Sequence, residues 1–157
     1  VQEKKSQMSL RYSIKHFNDL TVFELYKIMK LRQEVFVVEQ NCPYLDADGK
    51  DLHGYHVMGI DDNQNLHCYT RLLPEGISYQ GFVSIGRVIN SAEVRGKGYG
   101  KELMSISITK IRELYPGYPI KIGAQTYLKK FYESFGFVDI DMAYLEDNIP
   151  HIKMVLL

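Results

Sequence analysis

Residues 94–100, V-R-G-K-G-Y-G, constrain this chain more than any other segment. They stand between a strongly apolar run at 82–90 (FVSIGRVIN), which reads as a central strand, and an amphipathic stretch at about 101–115, which reads as a helix. Leu103, Ile106, Ile111 and Leu114 share one broad face of that helix, and Pro116, Gly117 and Pro119 stop it. Glycines at alternate positions, Gly96, Gly98 and Gly100, let the backbone take positive φ and approach a ligand without a Cβ in the way. The free N–H groups of the helix start point into this turn, and the helix dipole favours an anion there by about 0.3–1 kcal/mol. Arg95 and Lys97 add positive charge at the rim. The pattern predicts a phosphate or pyrophosphate cradle. The alternative is a tight strand–helix connection whose glycines serve packing alone. A P-loop is excluded, because its GxxxxGK spacing and following hydroxyl are missing. A dinucleotide fingerprint needs GxGxxG near the first strand, whereas this chain has GxGxG after the fourth.

The remaining elements alternate. Residues 10–17 (LRYSIKHF) show the polar/apolar alternation of a half-buried strand. Thr21 is placed to cap a helix, Glu24 to close a capping box, and Leu20 and Leu25 occupy the staple positions. The stripe Leu25, Ile28, Met29, Val35, Phe36 carries that helix to about Glu39, with a break near Arg32. A polar loop at 41–53 sets Asp46, Asp48 and Asp51 against the single Lys50. Strands follow at 55–60 and 66–73, joined by the turn DDNQN; later come a strand at 120–124, a short helix at 126–135, and closing strands at 137–144 and 151–157. The order β-α-(α)-β-β-β-α-β-α-β-β predicts a mixed α/β domain. At roughly 150 residues per domain, 157 residues make one, taken as 8–157 with residues 1–7 set aside as an extension.

Composition narrows the function. Nineteen Lys plus Arg balance 19 Asp plus Glu, so the basic excess of a nucleic-acid binder is missing. No run of 18 apolar residues and no hydrophobic start predict neither membrane span nor signal peptide. Cys42 and Cys68 form no CxxC pair, and two thiols suit a reducing cytoplasm. The loop DADGKD fails as a calcium site, with glycine at its fourth position and Val57 where a bidentate Glu belongs. The five histidines show no ligand spacing, so no metal is expected.

The hexapeptide Arg95-Gly96-Lys97-Gly98-Tyr99-Gly100 resembles the R/Q-x-x-G-x-G/A motif of the GCN5-related N-acetyltransferase (GNAT) superfamily, and the element order from Leu10 onward resembles that fold. Residues 31–51, 84–88, 124–137 and 144–154 together resemble its ElaA-like branch. The resemblance implies the GNAT fold, a mixed central β-sheet of about six to seven strands flanked by about four helices. It implies acetyl-CoA-dependent N-acetylation by direct attack of an amine in a ternary complex. Arg95, Gly96, Lys97, Gly98, Tyr99, Gly100 and Lys101 would hold the pyrophosphate of acetyl-CoA. Val88, Ile89 and Asn90 would pair with the pantetheine arm as an added strand, and an N–H near Val88 or Ile89 would polarise the thioester carbonyl. Tyr132 would protonate the departing thiolate, its alternative role being a core aromatic among 12 tyrosines. Gln125 stands where many relatives have an Asn. Acceptor recognition would draw on Arg32, Glu34, Glu39, Arg87, Glu146, Asp147 and His151, with Glu39 or His151 taking the amine's proton. Arg87 on an apolar strand demands a carboxylate partner, from substrate or from the fold. The expected partner is an amine on a small molecule or a protein, with no nucleic acid and no membrane; a homodimer is compatible. The rival reading is an acyl-CoA-binding module without turnover.

Overall fold

In a computed structural model that describes residues 8–157, β1 (Arg11–His16) leads into α1 (Val22–Arg32). The reading of residues 1–7 as an extension lies outside the described residues. The capping box forms: Thr21 Oγ1 accepts from the Glu24 N–H at 3.1 Å, and the Glu24 carboxylate accepts from the Thr21 N–H at 2.9 Å. The break expected near Arg32 is a change of helix type, since α1 widens there into a π-helical segment, Gln33–Glu39.

β2 (Tyr55–Ile60), β3 (Leu66–Leu73) and β4 (Ser84–Asn90) join β1 in an antiparallel sheet of order β1-β2-β3-β4. After α2 (Tyr99–Leu114), β5 (Ile120–Gln125) and α3 (Lys129–Glu133), the hairpin of β6 (Val138–Glu146) and β7 (Ile149–Leu156) completes a second antiparallel sheet, β5-β7-β6. The described residues thus hold seven strands and three α-helices. Two points differ from the sequence reading. The fourth helix is the π-helical continuation of α1, and the single central sheet is two sheets.

Those sheets meet at one place. Val83 donates to Pro119 O at 3.1 Å and accepts from the Lys121 N–H at 2.9 Å, making a parallel bridge to Ile120. Beyond it, no backbone hydrogen bond joins β4 to β5 among the described residues. A bulge explains the divergence: Thr70 of β3 lies opposite both Arg87 and Val88, and such an extra residue bends and twists its strand.

Helix α2 buries Leu103, Met104, Ile108 and Ile111 in one cluster with Val57, Leu72 and Ile85 of the first sheet and Ile120, Ile122 and Met154 of the second. Ile106 and Leu114, expected on that face, are only partly buried. On the other face, Ile28, Leu31 and Val35 pack with Met58, Tyr69 and Ile89. Among the described residues no helix is long and apolar enough to cross a membrane.

Candidate active site

Where β4 and β5 part, they enclose a cleft of about 550 Å³. Val88, Ile89 and Asn90 form one wall, Ile122, Gly123 and Gln125 the other, and Phe131 and Tyr132 close one side. Among the described residues no strand pairs with the β4 edge facing it, so its N–H and C=O groups are a template for an extended ligand.

The glycine turn lies at one mouth. Gly96 and Gly98 have φ of 74° and 88°, and a Cβ on either would meet nothing within 4 Å. They are glycines for backbone conformation, not for packing. Gly98 is the N-cap of the 16-residue α2. Gly100 differs: it lines the cleft, and a Cβ there would stand 3.1 Å from Asn90 Nδ2. Arg95 donates from Nε to Asn90 O at 2.9 Å and pairs through Nη2 with Glu39 at 2.7 Å, spanning the mouth. Lys97 Nζ reaches Glu93 O at 3.0 Å, and Lys101 is exposed on the first turn of α2. Tyr99 is expected in the turn through its backbone N–H, and its side chain points away from it. Its side chain is 4% exposed in the core and donates its hydroxyl proton to Met8 O, so only its backbone belongs to the turn.

Arg32 is corrected as an acceptor-binding residue. It is 0% exposed and lies outside the cleft lining. Its Nε meets Asp46 at 2.7 Å and its Nη1 meets Asp51 at 2.6 Å. Arg71 continues from Asp51 at 2.9 Å to Asp48 at 2.8 Å, and Arg87 returns from Asp48 at 3.3 Å to Asp46 at 2.8 Å. Three arginines and three aspartates alternate in a closed ring of zero net charge. Burial pushes the Asp48 carboxyl up, but hydrogen bonds from Arg71 and the Arg87 charge outweigh it and hold it down to about 2. The acidic loop at 41–53 therefore supplies the carboxylates that Arg87 demanded, and they come from the fold.

At the far end, His151 of β7 is 7% exposed and borders the cleft. Its Nδ1 lies 2.7 Å from Ile149 O, and a carbonyl can only accept. In its neutral form the ring therefore carries its proton on Nδ1 and has its lone pair on Nε2, which lies 3.4 Å from Glu146 Oε2. Tyr144 lies against the ring at 5.3 Å, across Gly123, where any Cβ would collide with the tyrosine hydroxyl. Gln125 is the register partner of His151 and shares the cleft. Glu39 pairs with Arg95 at the other mouth.

Tyr132 is 5% exposed, set edge-on to Phe131 at 5.2 Å and Phe137 at 6.0 Å, so it is a core aromatic as well as a cleft residue. Burial raises its phenol well above the usual tyrosine range, keeping it protonated. Sequence reasoning missed Gly123 and Tyr44, whose hydroxyl donates to Asp46 at 3.0 Å; the place of each depends on residues from other strands and loops.

Known proteins resemble this chain in sequence and fold. A family model described as an acetyltransferase (GNAT) domain matches residues 33–157. Protein ElaA of Escherichia coli (strain K12) is 45% identical over 141 residues, covering 88% of this chain and 91% of its own. The crystal structure of an acyl-CoA N-acyltransferase from Pseudomonas aeruginosa has a TM-score of 0.90 at 43% identity, covering 95% of this chain and 100% of that one. That of Escherichia coli ElaA has a TM-score of 0.88 at 41% identity, covering 94% and 99%.

Proposed function

Because the chain belongs to the GNAT acetyltransferase family, we propose that it transfers an acetyl group from acetyl-CoA to an amine that attacks while both are bound. The observation that carries the reading is the parting of β4 from β5, with a glycine turn at one mouth and a histidine of fixed tautomer at the other. The Pseudomonas aeruginosa neighbour, named as an acyl-CoA N-acyltransferase, supports the class of donor. Acetyl-CoA supplies an acyl group already activated as a thioester.

The residues present fit that donor. The space beside Gly96 and Gly98 admits a phosphate close to the backbone, and Arg95 is near enough to exchange Glu39 for it. Lys97 and Lys101 add charge there. The open edge of Val88, Ile89 and Asn90 suits the two amides of pantetheine, with Gln125 opposite. A bulge N–H at Arg87 or Val88 stabilises negative charge developing on the carbonyl oxygen. His151 Nε2 takes the amine's proton, and Glu146 steadies the resulting imidazolium. The Tyr132 hydroxyl hands its proton to the sulfur as the C–S bond breaks.

Two outcomes test the machinery. Gly98→Val forces an L side chain into a left-handed conformation at a cost of about 1–2 kcal/mol. Calorimetry is expected to show acetyl-CoA affinity falling by roughly 10-fold or more, with the melting temperature lowered by only about 2–8 °C; undiminished affinity would move the phosphate elsewhere. For Tyr132, proton transfer to a thiolate of pKa ~8.5 is uphill from any phenol, more so from a buried one, so its help is assistance. Tyr132→Phe is expected to lower kcat by at most about 10²-fold, or ~2.7 kcal/mol, and to leave acetyl-CoA affinity within about twofold. A kcat equal to wild type would reduce Tyr132 to packing.

The reading itself is tested by CoA-thiol release against a panel of small-molecule and protein amines. Tight acetyl-CoA binding with no turnover across that panel would favour the acyl-CoA-binding module instead.

A further inference from the structure

The arginine–aspartate ring draws on four parts of the chain: the end of α1 through Arg32, β3 through Arg71, β4 through Arg87, and the 41–53 loop. Its members Arg32 and Arg71 are buried, and a closed ring of matched charges is more than a buried arginine needs. One member stands apart. Arg87 has φ of 52°, a left-handed conformation that L residues rarely adopt. Among the described residues the other non-glycine positions with positive φ are Asn, Asp or Gln: Asn41, Gln64, Asp141, Asp147 and Asn148. Asn and Asp tolerate this region through local side-chain bonds that arginine lacks. Arg87 is held instead from outside, by Nε to Asp46 Oδ1 at 2.8 Å and Nη2 to Asp46 O at 3.0 Å and Asp48 Oδ2 at 3.3 Å. It also lies within the bulge that parts β4 from β5, where one N–H is left out of the ladder, and both Arg87 and Val88 line the cleft.

We propose that the ring is a positioning device: by clamping the Arg87 side chain it holds the β4 backbone left-handed, so that the spare N–H of the bulge meets the acyl carbonyl of a bound thioester. The inference rests on the acetyl-CoA reading above. Arg87 is then a positioning residue, since its guanidinium is spent on Asp46 and Asp48 and its effect passes through the backbone. Strain at a functional site, maintained by an over-determined surrounding, is the physical pattern.

The test separates backbone conformation from charge and needs no knowledge of the amine. The probes are acetyl-CoA and S-ethyl-CoA, which lacks the carbonyl oxygen, each titrated calorimetrically. Wild type is expected to prefer acetyl-CoA by about 3- to 10-fold, the range of one neutral hydrogen bond. Arg87→Ala loses the clamp and keeps the left-handed penalty, so the preference is expected to collapse toward one while S-ethyl-CoA affinity stays within about twofold. Arg87→Gly loses the same charge but takes positive φ freely, and is expected to recover most of the preference. Asp48→Asn, altering the partly exposed Asp48, is expected to shift the preference in the direction of alanine and serves if Arg87→Ala does not fold. Equal preferences in the alanine and glycine variants would overturn the proposal, as would a wild type indifferent to the carbonyl. Failure of wild type to bind either probe would refute the acetyl-CoA reading itself, and the positioning role with it.

Discussion

Arg32→Ala is expected to destabilise the protein by about 3–5 kcal/mol, because it strands Asp46 and Asp51 in a buried ring with an uncompensated negative charge. At about 2–4 °C per kcal/mol for a chain of this size, the melting temperature falls by on the order of 10 °C. Lys30→Ala is the control: its pair with Glu34 at 3.4 Å is exposed on both sides and is worth at most a few tenths of a kcal/mol. Similar losses in the two variants would show that the ring carries no more than a surface pair. Acid reads the same network. The Asp48 carboxyl is held down to about 2 in the folded state, below its unfolded value of ~3.9. A depressed carboxyl contributes stability that is present above pH ~4 and lost as pH falls toward 2, and Asp48→Asn should flatten that part of the acid unfolding curve.

His151→Ala is expected to cost about 10³-fold in kcat/KM for a strongly basic amine, within the 10²–10⁴-fold range of general-base loss. A lysine-like amine of pKa ~10.4 is only about 0.04% neutral at pH 7, a deficit of roughly 4.6 kcal/mol, so proton removal dominates its barrier. An α-amine of pKa ~7.7–8.0 is about 10–17% neutral and should suffer much less. The groups around the imidazole are Glu146 and Tyr144 on β6 and Gln125 on β5, and only Glu146 offers a carboxylate. The variant's rate with a strongly basic amine should therefore climb about tenfold per pH unit as the free amine becomes available. Profiles of variant and wild type running parallel would remove His151 as the base and leave that role to water or to Glu39.

The sequence alone determined the features whose partners lie within one turn or one strand. The capping box of Thr21 and Glu24 spans three residues, the strands Tyr55–Ile60 and Leu66–Leu73 are marked by the turn DDNQN between them, and the Gly96 and Gly98 turn needs only a conformation that glycine supplies. The resemblance of Arg95–Gly100 to a family motif then singled out one mouth of the cleft as the expected cofactor end. Tertiary structure decided the rest, since it depends on groups brought together from distant parts of the chain. Nothing local in Phe82–Asn90 says that β4 leaves β5 after a single bridge at Val83, because that follows from a bulge measured against β3. Nor does the chain around Arg32 show that its guanidinium turns inward to Asp46 and Asp51, 14 and 19 residues away, rather than toward a substrate. Tyr99 sits inside the motif and yet points into the core, because α2 must bury that face against the strands. The sequence offered His151 and Glu39 as equivalent candidate bases; only packing pairs Glu39 with Arg95 and sets His151 Nδ1 against the Ile149 carbonyl. Local hydrogen bonding and periodicity are written along the chain; which partner each charged side chain meets is settled only by what long-range packing places beside it.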